Sequence, residues 1–165
     1  MRIDENTKYA PFALIENTIS EDDKKRIMDA AEQKFGSCHM LSIDEFFGCI
    51  KGDFSHLGDL NDPTVFQAYW IKRFKDFCKE FSSVCERLAI HDPDMDGTDA
   101  GCVKIEPAES MLIFVREYFG LHSFADAGKV TIGEYVLARK DKYNSWKVRK
   151  NYERKQISKI KSKKR

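Results

Sequence analysis

Asp92-Pro93-Asp94-Met95-Asp96-Gly97 sets three carboxylates at alternate positions ahead of a glycine. Carboxylates spaced in this way converge on a hard cation in the first half of a calcium-binding loop, with glycine making the sharp turn. The second half does not follow the pattern. Asp99 stands where an apolar residue belongs, and Val103 where the bidentate glutamate belongs. A polar interhelical loop rich in turn formers accounts for the stretch better, and Asp92, Asp94 and Asp96 remain as the candidate metal ligands of a degenerate site. Leu41-Ser42-Ile43-Asp44-Glu45-Phe46 and the stretch Lys129 to Tyr135 look like back halves of such loops. Neither has the acidic front, since Ser123, Ala125 and Ala127 fill the ligand slots ahead of Glu134. Capping boxes explain what the two share, so no internal repeat is required.

Other chemistry finds little purchase. His39, His56, His91 and His122 are far apart, and Cys38-His39 is the only place where a cysteine and a histidine adjoin. Zinc sites need ligands at recurrent close spacings. No G-x-S-x-G, H-E-x-x-H or glycine-rich phosphate loop is present. The sequence therefore predicts a non-enzymatic protein, without catalytic residues and without a cofactor.

Charge carries the strongest signal. Thirteen of the twenty-eight lysines and arginines fall between Arg139 and Arg165, beside only Asp141 and Glu153, so this segment holds about +11. They are Arg139, Lys140, Lys142, Lys147, Arg149, Lys150, Arg154, Lys155, Lys159, Lys161, Lys163, Lys164 and Arg165. The preceding 138 residues carry about −10, and the formal total of +1 hides the division. Such asymmetry points to an anionic partner for the arm: nucleic acid, a membrane surface or the acidic face of another subunit. Tyr143, Trp146 and Tyr152 interleave with the cations, as in surfaces that neutralise phosphates and offer rings for stacking. Tyr143 and Trp146 equally suit a core, because they share a helix face with Ile132, Tyr135 and Val136. The stretch from Lys159 to Arg165 has too little apolar content to fold alone and is predicted to be disordered until an anion orders it.

The elements that position these residues read as helices. Ser20 opens one that Gly36 closes. Ser42 to Glu45 is a capping box, stapled by Leu41 and Phe46, for a helix running to about Ile50. Asp62-Pro63 starts the longest helix, with Pro63 in the first helical position. Along it Trp70, Phe74, Phe77, Phe81, Val84 and Leu88 recur every three or four residues, an aromatic seam that suits an internal core better than a subunit interface. Pro107 begins a helix capped by Gly120 and apolar on several sides, which predicts the most buried element. Thr131 to Glu134, stapled by Val130 and Tyr135, launches a final helix that turns basic after Ala138. The fold class is all-α: a compact helical bundle with one long central helix and a basic C-terminal arm, helical or disordered. Residues 1–138 form the acidic domain and 139–165 the arm.

With 42 % hydrophobic residues and twelve phenylalanines the chain can build one sizeable core. Met1 to Ala10 lacks an apolar stretch, and no run approaches the roughly twenty residues of a membrane span, so a soluble protein without a membrane partner is expected. Five cysteines without a C-x-x-C pair suit a reducing compartment, the cytoplasm of a bacterium or an infected host cell.

Ser42-Ile43-Asp44-Glu45-Phe46-Phe47, Gly52-Asp53-Phe54, and the block Met111 to Gly120 leading into Thr131 to Tyr135 together resemble small accessory virion or tail-assembly proteins of Bacteroidetes phages and prophages. The resemblance covers roughly residues 40 to 155. It implies a non-enzymatic protein, made in the cytoplasm and present in many copies, that acts through contacts with its own copies or other phage structural proteins, with incorporation into the virion as the alternative location. The residues themselves leave a nucleic-acid-binding module and a divalent-cation-binding helical protein as alternatives.

Overall fold

The computed structural model describes residues 3–90 and 105–163. Among them are seven α-helices: α1 (Tyr9–Ala13), α2 (Glu21–Phe35), α3 (Ile43–Ile50), α4 (Val65–Arg87), α5 (Pro107–Phe119), α6 (Phe124–Gly128) and α7 (Ile132–Lys163). Extended pairing among the described residues is confined to two isolated bridges, Lys8 with Thr64 and Ser42 with Thr131.

Local chemistry sets most boundaries. The Ser20 side chain accepts the Asp23 N–H at 3.1 Å and opens α2, which Gly36 ends with φ 91°. Ser42 and Glu45 bond reciprocally, at 3.1 and 2.9 Å, to open α3. α5 starts at Pro107 and stops where Gly120 turns left-handed, at φ 64° and ψ 37°. The start of α4 differs from the expected one. Pro63 is not its first residue, because the Pro63 carbonyl accepts the Tyr9 N–H at 2.8 Å and is held in the extended bridge. Thr64 caps the helix instead, and Gln67 closes the box by accepting the Thr64 N–H at 2.7 Å. The buried Gln67 amide then donates to the Leu57 and Asp59 carbonyls, at 2.8 and 3.2 Å, so its burial leaves no donor idle.

The aromatic seam of α4 is internal. Trp70, Phe74, Phe77 and Phe81 are buried, and the Phe46 ring of α3 lies 5.7, 6.2 and 5.1 Å from those of Phe74, Phe77 and Phe81. Trp70 Nε1 donates to the Gly36 carbonyl at 2.8 Å, tying the end of α2 to the same seam. Tyr135 of α7 extends it, 6.0 Å from Phe81 and 5.6 Å from Phe114. Two expectations about the helices are corrected. α7, with 32 residues, is longer than α4, with 23. α5 is not the most buried helix: it buries Met111 and Val115, whereas α4 buries seven residues. α5 packs on α3, α6 and α7, and its last turn leaves Tyr118 and Phe119 exposed.

A polar knot holds the amino-terminal segment to α4. Lys72 Nζ bonds the Glu16 carboxylate, the Tyr9 hydroxyl donates to the same carboxylate at 3.1 Å, and the ammonium lies 5.1 and 4.8 Å from the Tyr9 and Tyr69 ring centres. Burial alone raises the Glu16 pKa, but the bonds from Lys72 and Tyr9, together with the nearby Tyr69 hydroxyl, outweigh it and hold the carboxyl below its usual 4.5. A carboxyl depressed in the folded state adds stability above its unfolded pKa, and that stability is lost as pH falls through the folded value. Glu16→Gln is therefore expected to cost stability at pH 7 and progressively less below about pH 4.5, seen as converging urea-unfolding free energies of variant and parent.

Candidate anionic-partner interface

α7 divides into a packed half and a projecting half. Ile132, Tyr135 and Ala138 are buried in the body. The Thr131 and Glu134 capping box, with bonds of 3.1 and 2.8 Å, opens the helix, and Ser42 opposite Thr131 anchors it. Ile43 N–H donates to the Val130 carbonyl at 2.9 Å and Ile132 N–H to the Leu41 carbonyl at 2.8 Å. Where the basic segment begins, its first members still belong to the body. The Arg139 guanidinium lies 5.1 Å from the Phe114 ring centre and donates to the Leu88 carbonyl at 3.2 Å. Asp141 accepts the Tyr118 hydroxyl at 2.7 Å. Tyr143 and Trp146, with rings 5.6 Å apart, are half-buried on the face that continues from Tyr135, so the core reading holds for that side of both. Trp146 also borders a cavity of about 400 Å³ with Ile90, Lys142, Ser145 and Arg149.

Beyond Lys150 the described residues offer α7 nothing to pack on. Val148, Tyr152, Ile157 and Ile160 are all exposed. The expectation that disorder sets in at Lys159 is corrected, because the helix continues to Lys163. Its packed half supplies the nucleus, so each later residue pays only for propagation. No glycine or proline follows Gly133, and lysine, arginine, glutamate and glutamine extend a helix well. The change of charge at residues 138–139 thus falls inside an unbroken helix.

The side chains of Arg154, Lys155, Lys159 and Lys161 on this half, and of Lys140, Lys142 and Arg149 nearer the body, have no hydrogen-bond or ion-pair partner among the described residues. Lys150 pairs with Glu153 of its own helix at 3.5 Å, and Lys147 lies 6.0 Å from the Tyr143 ring centre. Lys140, Lys147, Arg154 and Lys161 recur every seven residues and so form one row about 10 Å apart. Lys155 and Lys159 form a second row about 120° around the helix, and Arg149 stands between the two on the remaining side. Lys163 closes the helix. Lys164, Arg165, Asp92, Asp94 and Asp96 lie outside the described residues. No group of three histidine, cysteine, aspartate or glutamate side chains able to hold a metal occurs among the described ones. None of the described helices is long and apolar enough to cross a membrane.

Sequence reasoning did not separate Arg139 from the other cations. The signal was available in its spacing, three residues after Val136 and seven after Ile132, which puts it on the packed face. Burial pushes the Cys38 thiol up to about 12 and the Cys49 thiol up to about 11, which leaves both inert as nucleophiles. Comparison with known proteins returned no match to a family, to a curated protein or to a solved structure.

Since the helix beyond Lys150 touches nothing else described, removing residues 152–165 is expected to change the unfolding free energy of the body by less than about 0.5 kcal/mol. Circular dichroism of the same variant should lose helical signal in proportion to the residues removed.

Proposed function

We propose that this is a non-enzymatic helical interaction and assembly protein, in which an acidic body mounts a rigid basic helix that engages a polyanion. One observation carries the reading: α7 displays seven side-chain cations without a partner among the described residues, four of them (Arg154, Lys155, Lys159 and Lys161) on its projecting half, on a backbone already ordered. A preformed site of this kind loses little conformational entropy on binding, so its affinity is not eroded by folding. Charge would mainly accelerate encounter and fix register. The acidic body of a second copy has the matching sign, and head-to-tail contacts of that sort build rings or filaments. A virion setting, with packaged nucleic acid as another polyanion, is supported by the resemblance of the sequence to phage accessory proteins.

The reading is tested on immobilised heparin. The full chain should elute at distinctly higher salt than a chain ending at Asn151, and equal elution would reject α7 as a polyanion site. Sedimentation across the same salt range reports whether the partner includes further copies of the chain.

A second reading, a divalent-cation-responsive protein, is favoured by one feature of α5. The Glu109 carboxylate accepts the Glu106 N–H at 3.2 Å, the same place in the first turn that Glu45 holds in α3 and Glu134 in α7. The helix that follows Asp92, Asp94 and Asp96 thus carries a carboxylate at its entrance, which Val103 cannot supply. Calorimetry at millimolar calcium should show heat that Asp94→Ala and Asp96→Ala abolish and Glu109→Gln reduces; an absence of heat removes this reading.

A further inference from the structure

We infer that the polyanion taken by α7 is double-stranded DNA, with the helix beyond Trp146 lying in the major groove. The inference rests on α7 being the polyanion site, and it comes from how the cations and apolar residues are distributed around the helix. A helix lying on a membrane needs one broad apolar face, and a helix lying in a protein groove needs apolar anchors at intervals of three and four. This one offers only two short apolar pairs, Val148 with Tyr152 and Ile157 with Ile160, on different sides. Val148 and Tyr152 share their side with Lys155 and Lys159, while Ile157 lies about 180° around from Val148. All four are solvated, and from Trp146 onward the cations leave free only the side that Ile157 and Ile160 share with Glu153.

Two rows of cations suit a site with negative charge on both flanks. The B-form major groove, about 12 Å wide, admits a helix about 10 to 12 Å in diameter and places a phosphate row along each wall. The row through Lys147, Arg154 and Lys161 and the row through Lys155 and Lys159 then face opposite walls. From Lys147 to Lys161 the helix rises about 21 Å, enough to cross both walls without bending. The A-form groove of double-stranded RNA is too deep and narrow for the same insertion. The acidic body contributes by exclusion: at about −10 it is repelled by phosphate, which leaves only the projecting half able to approach the duplex.

The experiment is fluorescence anisotropy of the full chain with labelled probes of about 24 residues or base pairs: a DNA duplex, single-stranded DNA, an RNA duplex and polyglutamate. The DNA duplex is expected to bind at least about tenfold more tightly than each of the others, with log K falling against log salt at a slope near −5. Lys147→Gln with Arg154→Gln, and separately Lys155→Gln with Lys159→Gln, should each reduce the magnitude of that slope by about 2. A loss confined to one pair would overturn groove insertion, as would equal binding of the RNA duplex or of single-stranded DNA. Equal binding of polyglutamate would overturn the choice of DNA and leave the polyanion site standing. Failure of every probe to bind would remove both.

Discussion

The antiparallel pairing of Ser42 with Thr131 decides where α7 begins and which way it leaves the body. Two short segments, each the residue before a helix, exchange backbone bonds from Ile43 to Val130 and from Ile132 to Leu41. The same geometry buries Ile43 and Ile132 side by side in the core and sets both capping boxes against each other. Such a bridge is small, but it fixes a helix origin to within a hydrogen-bond length. Everything further along α7 inherits that direction, since the helix contains no residue that bends it. Lys8 and Thr64 repeat the device at the starts of α1 and α4.

From that origin, packing and charge divide the helix between them. The aromatic seam takes Tyr135 from α7 and, through Phe114, reaches Arg139, whose charge is spent on the Leu88 carbonyl and a ring face inside the body. Past Trp146 the seam has no more surface to offer. The helix persists there because it is propagated, not because it is packed, and mutual repulsion of its cations works against it. Such a segment is stable enough to present its charges in fixed positions and gains further stability from any phosphate that binds it. Keeping the opposite charge on the body prevents the arm from being a uniformly sticky surface and gives the molecule a polarity.

Glutamates at the third position of α3, α5 and α7 show how one local device serves several ends. Each satisfies an amide at a helix start that would otherwise be unpaired. In α3 and α7 the boxes also sit at the bridge, so the sequence pattern shared by the two segments has a spatial counterpart in their pairing. In α5 the same carboxylate is taken up in the cap of a helix that follows the aspartate-rich stretch of sequence.

What the sequence by itself determined was local: an all-helical chain, helix boundaries at Ser20, Gly36, Ser42, Pro107, Gly120 and Thr131, the spacing of the α4 seam, and the division of charge. Each depends on residues within a turn or two, so a single chain displays it. Tertiary structure decided the rest. It drew Pro63 out of α4 by giving its carbonyl to Tyr9, left the last turn of α5 exposed, and assigned Tyr143 and Trp146 to the packed side. It also kept α7 helical through Lys163, where composition predicted disorder, because the nucleus for that helix lies thirty residues earlier against the core. Contacts between residues distant along the chain leave no periodicity to read; only the folded molecule shows which cations the body has used and which remain for a partner.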